Sequence, residues 1–72
     1  MITRANLEHW FQYHLPADEE TRKKYVNIRT AAKTFAEVVL VNTPESADQS
    51  VAIRKVREAV LIANAAIACG GR

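Results

Sequence analysis

Four basic residues of this chain are spaced so that they could bind an anion. They are Arg29, Lys33, Arg54 and Arg57. Each lies beside an apolar stripe that steps by three and four residues, the spacing by which one helix packs on another. We expect these two stripes to form the seam between helices; they are Tyr25, Ile28, Ala32, Phe35 and Val39, and Ile53, Val56, Val60, Ala63 and Ile67. An arginine can donate two parallel N–H groups to one phosphate, which a lysine cannot match. The pattern is therefore compatible with a phosphate-containing ligand held beside packed helices.

Surface ion pairs are the competing interpretation of the same basic residues. Lys33 and Glu37 are four residues apart, and Glu58 directly follows Arg57. An exposed pair of this kind contributes only about 0–1 kcal/mol, and a lysine that precedes its glutamate is the less favourable order on a helix. On spacing alone, surface ion pairs remain the simpler interpretation.

Aromatic residues cluster just before the first proline. Trp10 and Phe11 fall on one face of a short amphipathic helix, whereas Tyr13 and His14 lie at the break before Pro16. An aromatic ring beside a basic groove can stack on a nucleobase. Packing of the short helix is the better interpretation for Trp10 and Phe11, and both interpretations remain open for Tyr13.

The sequence contains no recognisable catalytic or metal-binding pattern. Cys69 is the single cysteine and has no evident base beside it, while His9 and His14 are five apart rather than the four that places two ligands on one helix face. Glycine-rich phosphate loops and CxxC motifs are absent. We therefore expect no catalytic residues, no metal, no cofactor and no enzymatic activity.

Length and composition predict one small domain that associates with itself. A chain of 72 residues buries little apolar surface, and a single cysteine cannot form an internal disulfide. The longest apolar run, residues 38–41, is too short to span a membrane. We expect a cytoplasmic protein, because the N-terminus does not resemble a signal peptide and the cysteine is unpaired. The net charge of +2 permits an anionic partner without requiring one.

The predicted fold is all-α, a short N-terminal helix followed by a long antiparallel helical hairpin. We place the helices at about residues 3–14, 16–41 and 44–69. Thr3 is a suitable N-cap, Pro16 suits the first turn of the second helix, and Gly70 follows the end of the third. A single hairpin has no closed core, so alanine-rich faces such as residues 63–68 are expected to pack against another copy.

Two caps are possible where the third helix begins. Thr43 can cap it with Pro44 in the first turn. Alternatively, Ser46 caps it and Gln49, three residues later, completes a capping box. In both cases the connection is short, so the two long helices must be antiparallel neighbours.

Five short motifs occur in an order that resembles a known family. They are Trp-Phe-x-Tyr-His-x-Pro at residues 10–16, Ile-Arg-x-Ala-Ala-Lys-x-Phe-Ala at 28–36, Pro-x-Ser-Ala-Asp at 44–48, Arg-Glu-Ala at 57–59 and Ala-Asn-x-x-Ile-Ala at 63–68. The series is similar to the phage hairpin-domain family of cyclic-nucleotide sponges, which includes the anti-CBASS and the anti-Thoeris sponges. The resemblance covers nearly the whole chain.

This resemblance implies a non-enzymatic homohexamer that sequesters bacterial immune messengers in the host cytoplasm during phage infection. It implies cyclic dinucleotides as ligands, with cyclic trinucleotides in separate pockets or cyclic ADP-ribose isomers as further possibilities. The positions that best match the family's ligand contacts are Tyr13, Arg29, Lys33 and Arg57. His14, Thr30 and Arg54 are second choices.

Two other classes remain as alternatives. A small helical module that binds nucleic acid or a host protein would use the same basic residues, but the mild charge and the helical spacing of the arginines argue against a nucleic-acid partner. A purely structural oligomerisation module would bind none of these ligands.

Overall fold

The computed structural model describes residues 1–71 and contains three α-helices: α1 (Arg4–Trp10), α2 (Glu19–Asn42) and α3 (Ala47–Ala68). No strand occurs among the described residues, so the predicted all-α class is confirmed. The long helices α2 and α3 form the antiparallel hairpin, and α1 lies near the end of α3. The molecule measures 45 × 32 × 15 Å. Its radius of gyration of 15.3 Å exceeds the roughly 11 Å expected for a compact chain of this length.

The seam between α2 and α3 is made of half-buried apolar side chains. On α3 all five predicted seam residues are half-buried: Ile53, Val56, Val60, Ala63 and Ile67. On α2 the prediction of Phe35 as a seam residue is wrong, because its side chain is 57% exposed. Ala36 is half-buried instead.

The single chain has no closed core. Among the residues that the structure describes, none is fully buried, whereas many large apolar side chains are at least half exposed, including Phe11, Leu40, Leu61 and Ile62. A folded chain normally removes such side chains from water, because burial of each contributes about 1.5–3 kcal/mol. Within residues 1–71, no helix combines the length and hydrophobicity needed to cross a bilayer.

The first helix begins as predicted and ends earlier. The Thr3 hydroxyl accepts the Asn6 backbone N–H at 3.2 Å, and Asn6 Oδ1 accepts the Thr3 N–H at 2.9 Å, so a capping box is formed. The predicted end at residue 14 is wrong because α1 stops at Trp10. His14 lies outside the helix, and its Nε2–H donates to the His9 carbonyl at 2.7 Å. This bond satisfies a carbonyl that has no partner within a helix that ends here.

The second helix begins at Glu19, three residues later than Pro16. Asp18 is its N-cap, and one carboxylate oxygen accepts the Thr21 backbone N–H at 2.7 Å. The hydrogen bonds donated by Thr21, from its backbone first and then its side chain, lower the pKa of Asp18 below its ordinary value of 3.8. A side chain that caps the helix therefore overrides the preference of proline for the first turn.

Ser46, and not Thr43, is the N-cap of α3. The Ser46 hydroxyl accepts the Gln49 backbone N–H at 3.2 Å. Thr43 is instead the C-cap of α2, and its hydroxyl donates to the Val39 carbonyl. The predicted capping box is only half formed. The Gln49 amide instead donates towards the Leu40 carbonyl and both oxygens of Thr43, at 3.1–3.2 Å. It thereby joins the end of α2 to the start of α3.

Two glycines end the third helix. Gly70 and Gly71 adopt positive φ angles of 64° and 79°. The Gly71 N–H donates to the Ala66 carbonyl and the Gly70 N–H to the Ile67 carbonyl, which is the Schellman pattern. Its left-handed residues favour glycine because a Cβ atom is strained there.

Candidate functional site

An open groove on one face of the hairpin contains three of the predicted ligand residues. Its volume is about 360 Å³. Its basic rim consists of Arg29 and Lys33 on α2 and Arg57 on α3. Its floor is apolar and is made of Ala32, Ala36, Ile53, Val56, Val60 and Leu61. We call this surface the basic groove.

Helix geometry explains why these three cations meet. Arg29 and Lys33 are one turn apart on the same face of α2. The antiparallel hairpin brings the middle of α3 against the middle of α2, so Arg57 lies across the seam from them. Alanines at positions 32 and 36 leave space between the rims that larger side chains would fill.

The basic rim has no anionic partner within the part of the chain that the structure describes. The ion pairs among the described residues lie elsewhere: Arg22 pairs with Glu19 at 4.0 Å, and Lys55 pairs with Glu58 at 3.3 Å. The surface pairs expected for the rim are therefore not formed, since Glu58 pairs with Lys55 and Lys33 makes no bridge to Glu37. An arrangement of three unpaired cations over an apolar floor suits an anion that also carries a flat apolar surface.

The other four predicted ligand residues do not line the basic groove in this chain. Thr30 and Arg54 are exposed on the two long helices, next to the groove residues in sequence. Tyr13 is 79% exposed and lies outside any helix. His14 is half-buried against His9 near the end of α3. The roles of all seven residues as ligand contacts stay predictions.

Sequence reasoning missed two features of this surface. The first is the contribution of Ala36 and Leu61 to the groove. Neither residue belongs to the apolar stripes, because each follows the basic residues at the same helical spacing, three or four residues after Lys33 and Arg57. The second is the meeting of His9, His14 and Cys69, whose ligand atoms all lie within 4.8 Å of one another. Local sequence spacing could not predict this cluster, because His9 and Cys69 are 60 residues apart.

A second groove, of about 400 Å³, separates α1 from the end of α3. It is lined by Trp10, Ile62, Ala65, Ala66, Cys69 and Gly71. None of these side chains is charged, so the basic groove is the better candidate for an anionic ligand.

Comparison with known proteins identifies the family. A family profile described as the Acb2/Tad1 hairpin domain matches residues 3–68, which include all three helices and the whole basic groove. No curated protein and no solved structure matches the chain significantly. The resemblance found from the five sequence motifs is thereby confirmed, and the chain belongs to the Acb2/Tad1 hairpin-domain family.

Proposed function

We propose that this chain is a phage anti-defence sponge that binds cyclic oligonucleotide messengers of bacterial CBASS immunity and does not cleave them. The observation that carries the proposal is the basic groove, with its three unpaired cations and apolar floor, in a chain of the Acb2/Tad1 hairpin family. Cyclic dinucleotides are the first expected ligands and cyclic trinucleotides the second. Sequestration in the host cytoplasm lowers the free messenger below the concentration that its effector needs.

The roles of the groove residues follow from the chemistry of such a ligand. The guanidinium groups of Arg29 and Arg57 donate paired N–H groups to phosphodiester oxygens, and Lys33 adds a third positive charge. The apolar floor contacts the faces of the bases and sugars. The groove is open and its volume of about 360 Å³ lies near the lower end of the range for ligand sites, which is consistent with a site to which a second chain also contributes.

Another copy of the chain is proposed to complete the site. The exposed apolar side chains and the absence of a buried residue in the described chain indicate that its faces are covered in solution. A homohexamer is the assembly expected for this family. In that assembly the exposed Tyr13 of one copy is available to stack on a base held in the groove of another.

Cyclic ADP-ribose isomers of Thoeris immunity are the second candidate, because the family description covers both kinds of sponge. They also carry phosphates and a base, so the basic groove suits them by the same chemistry. A titration against both ligand classes by calorimetry distinguishes them. Binding only to DNA or RNA, with affinity that falls steeply with salt, would instead support a nucleic-acid module.

A matched pair of substitutions tests the groove directly. Arg57→Ala removes charge-assisted hydrogen bonds worth about 1.5–3 kcal/mol, so we expect ligand affinity to fall by roughly 10- to 150-fold. Lys55→Ala is the control, because Lys55 lies outside the groove and pairs with Glu58. The assembly, measured by light scattering, should be unchanged in both. Equal affinities in the two variants would contradict the assignment of Arg57.

A further inference from the structure

Three side chains that ligate metals converge where the N-terminal segment meets the end of α3. His9 belongs to α1, His14 follows that helix, and Cys69 is the C-cap of α3. Their ligand atoms all lie within 4.8 Å of one another. The two imidazole rings are edge to face, with centroids 4.9 Å apart.

Hydrogen bonds fix which nitrogen of each histidine is available. His9 Nε2 lies 2.9 Å from the Cys69 carbonyl oxygen, and His14 Nε2 lies 2.7 Å from the His9 carbonyl oxygen. A carbonyl oxygen can only accept, so each Nε2 carries a hydrogen, and in the neutral ring that metal binding requires each Nδ1 has the lone pair. Histidines that bind metals commonly donate their other N–H to a carbonyl in this way, which holds the ring and its tautomer.

We propose that His9 Nδ1, His14 Nδ1 and Cys69 Sγ bind one Zn²⁺ ion per chain. Two imidazoles and a thiolate form a donor set that zinc prefers, and the fourth tetrahedral position is left to water. Ligand atoms on one tetrahedral zinc are about 3.5 Å apart. The ligand atoms must therefore approach one another as the metal binds, and rotation of the half-buried His9 and His14 side chains can supply this movement. On binding, the thiol proton passes to solvent as the sulfur–zinc bond forms.

The bound metal would cross-link two segments that are distant in the sequence. It joins the N-terminal segment to the end of α3 across 60 residues, where the His9 side chain already contacts the Cys69 carbonyl. A helix of seven residues is unstable alone in water. Small proteins without a large core often depend on a disulfide, a metal or self-association. The single cysteine cannot form an internal disulfide, so a bound metal would add to the stability that association supplies. This role is independent of ligand binding in the basic groove.

Cobalt provides the direct test, because Co²⁺ enters zinc sites and reports on its ligands by colour. Chelator-treated, reduced, full-length protein is titrated with Co²⁺. We expect a thiolate-to-cobalt charge-transfer band and the visible bands of tetrahedral coordination, both saturating at one ion per chain. Added Zn²⁺ should displace the cobalt, since zinc binds more tightly to such donors. Absence of the charge-transfer band would overturn the proposal.

Two variants assign the ligands. Cys69→Ser should abolish the charge-transfer band, and His14→Ala should weaken Zn²⁺ binding by at least about tenfold. Gln12→Ala, an exposed position near His14, is the matched control and should bind Zn²⁺ as the unmodified protein does. Zn²⁺ should also raise the melting temperature of the unmodified protein and of the control only.

Circular dichroism checks that the variants remain helical. If Cys69→Ser does not fold, His14→Ala decides the matter. A charge-transfer band that persists in folded Cys69→Ser, or undiminished Zn²⁺ binding in His14→Ala, would refute the site.

Discussion

Phe35 offers the sharpest test of whether the ligand site is shared between copies. Its side chain is 57% exposed in the single chain. A phenylalanine presents roughly 200 Å², so about 110 Å² of its surface remains for another copy to cover. At about 25 cal/mol per Å², that burial contributes about 3 kcal/mol per subunit. Phe35→Asp should therefore weaken subunit association by at least about a hundredfold.

The position of Phe35 separates assembly from direct ligand contact. At 100° per residue, Phe35 lies 120° or more around α2 from both Arg29 and Lys33, and it does not line the basic groove. Sedimentation measures the assembly, calorimetry measures ligand affinity, and circular dichroism checks that the hairpin remains helical. Phe35→Leu retains an apolar side chain and serves as the control. We expect Phe35→Asp to lose assembly and ligand binding together.

Two results would refute this reasoning. If Phe35→Asp assembles as the unmodified chain does, the face around Phe35 is not an interface. If it is monomeric but binds ligand with unchanged affinity, the basic groove of one chain is sufficient and the site is not shared. Ile53→Asp would be expected to lose both properties as well, but Ile53 is half-buried in the hairpin seam, so that substitution also damages the fold.

Further predictions concern the caps. Gln49→Ala removes the amide that donates to Leu40 and Thr43, and it should lower the free energy of unfolding by about 1 kcal/mol and the melting temperature by roughly 4–8 °C; an unchanged melting temperature would show that these bonds contribute nothing. Asp18→Asn keeps the cap but not its charge. Because the folded pKa of Asp18 lies below 3.8, its charge stabilises the protein above that pH and this contribution is lost as pH falls through the folded pKa. The stability advantage over Asp18→Asn should therefore disappear in acid, and an advantage that persists at low pH would contradict it.

The helices were predictable because periodic apolar residues and capping residues act locally. Thr3 and Ser46 cap α1 and α3 because their side-chain oxygens accept a backbone N–H of the first turn. Gly70 begins the left-handed turn that ends α3. The end of α1 was not predictable in the same way. It depends on a hydrogen bond from the His14 side chain, which lies outside the helix, to the His9 carbonyl. The periodicity of the apolar residues gives no information about this bond.

The candidate site was predictable only in part. The spacing of Arg29 and Lys33 places them on one face of α2, and the antiparallel hairpin brings Arg57 opposite. Whether these three cations pair with carboxylates depends on side-chain geometry, which the sequence does not give. In the structure Glu58 pairs with Lys55 and not with a cation of the groove. The cluster of His9 and Cys69 arises from tertiary contact between the two ends of the chain, so local sequence spacing could not reveal it.

Recovery of intact ligand is the measurement that tests the proposed function most directly. The purified protein is incubated with cyclic dinucleotides and, separately, with cyclic trinucleotides, and free ligand is removed by filtration. The retained protein is then denatured by heat, and the released nucleotides are identified by mass spectrometry. A sponge should retain at least one of these ligands and release it unchanged. Retention of none of them, or release of a cleaved product, would contradict the account.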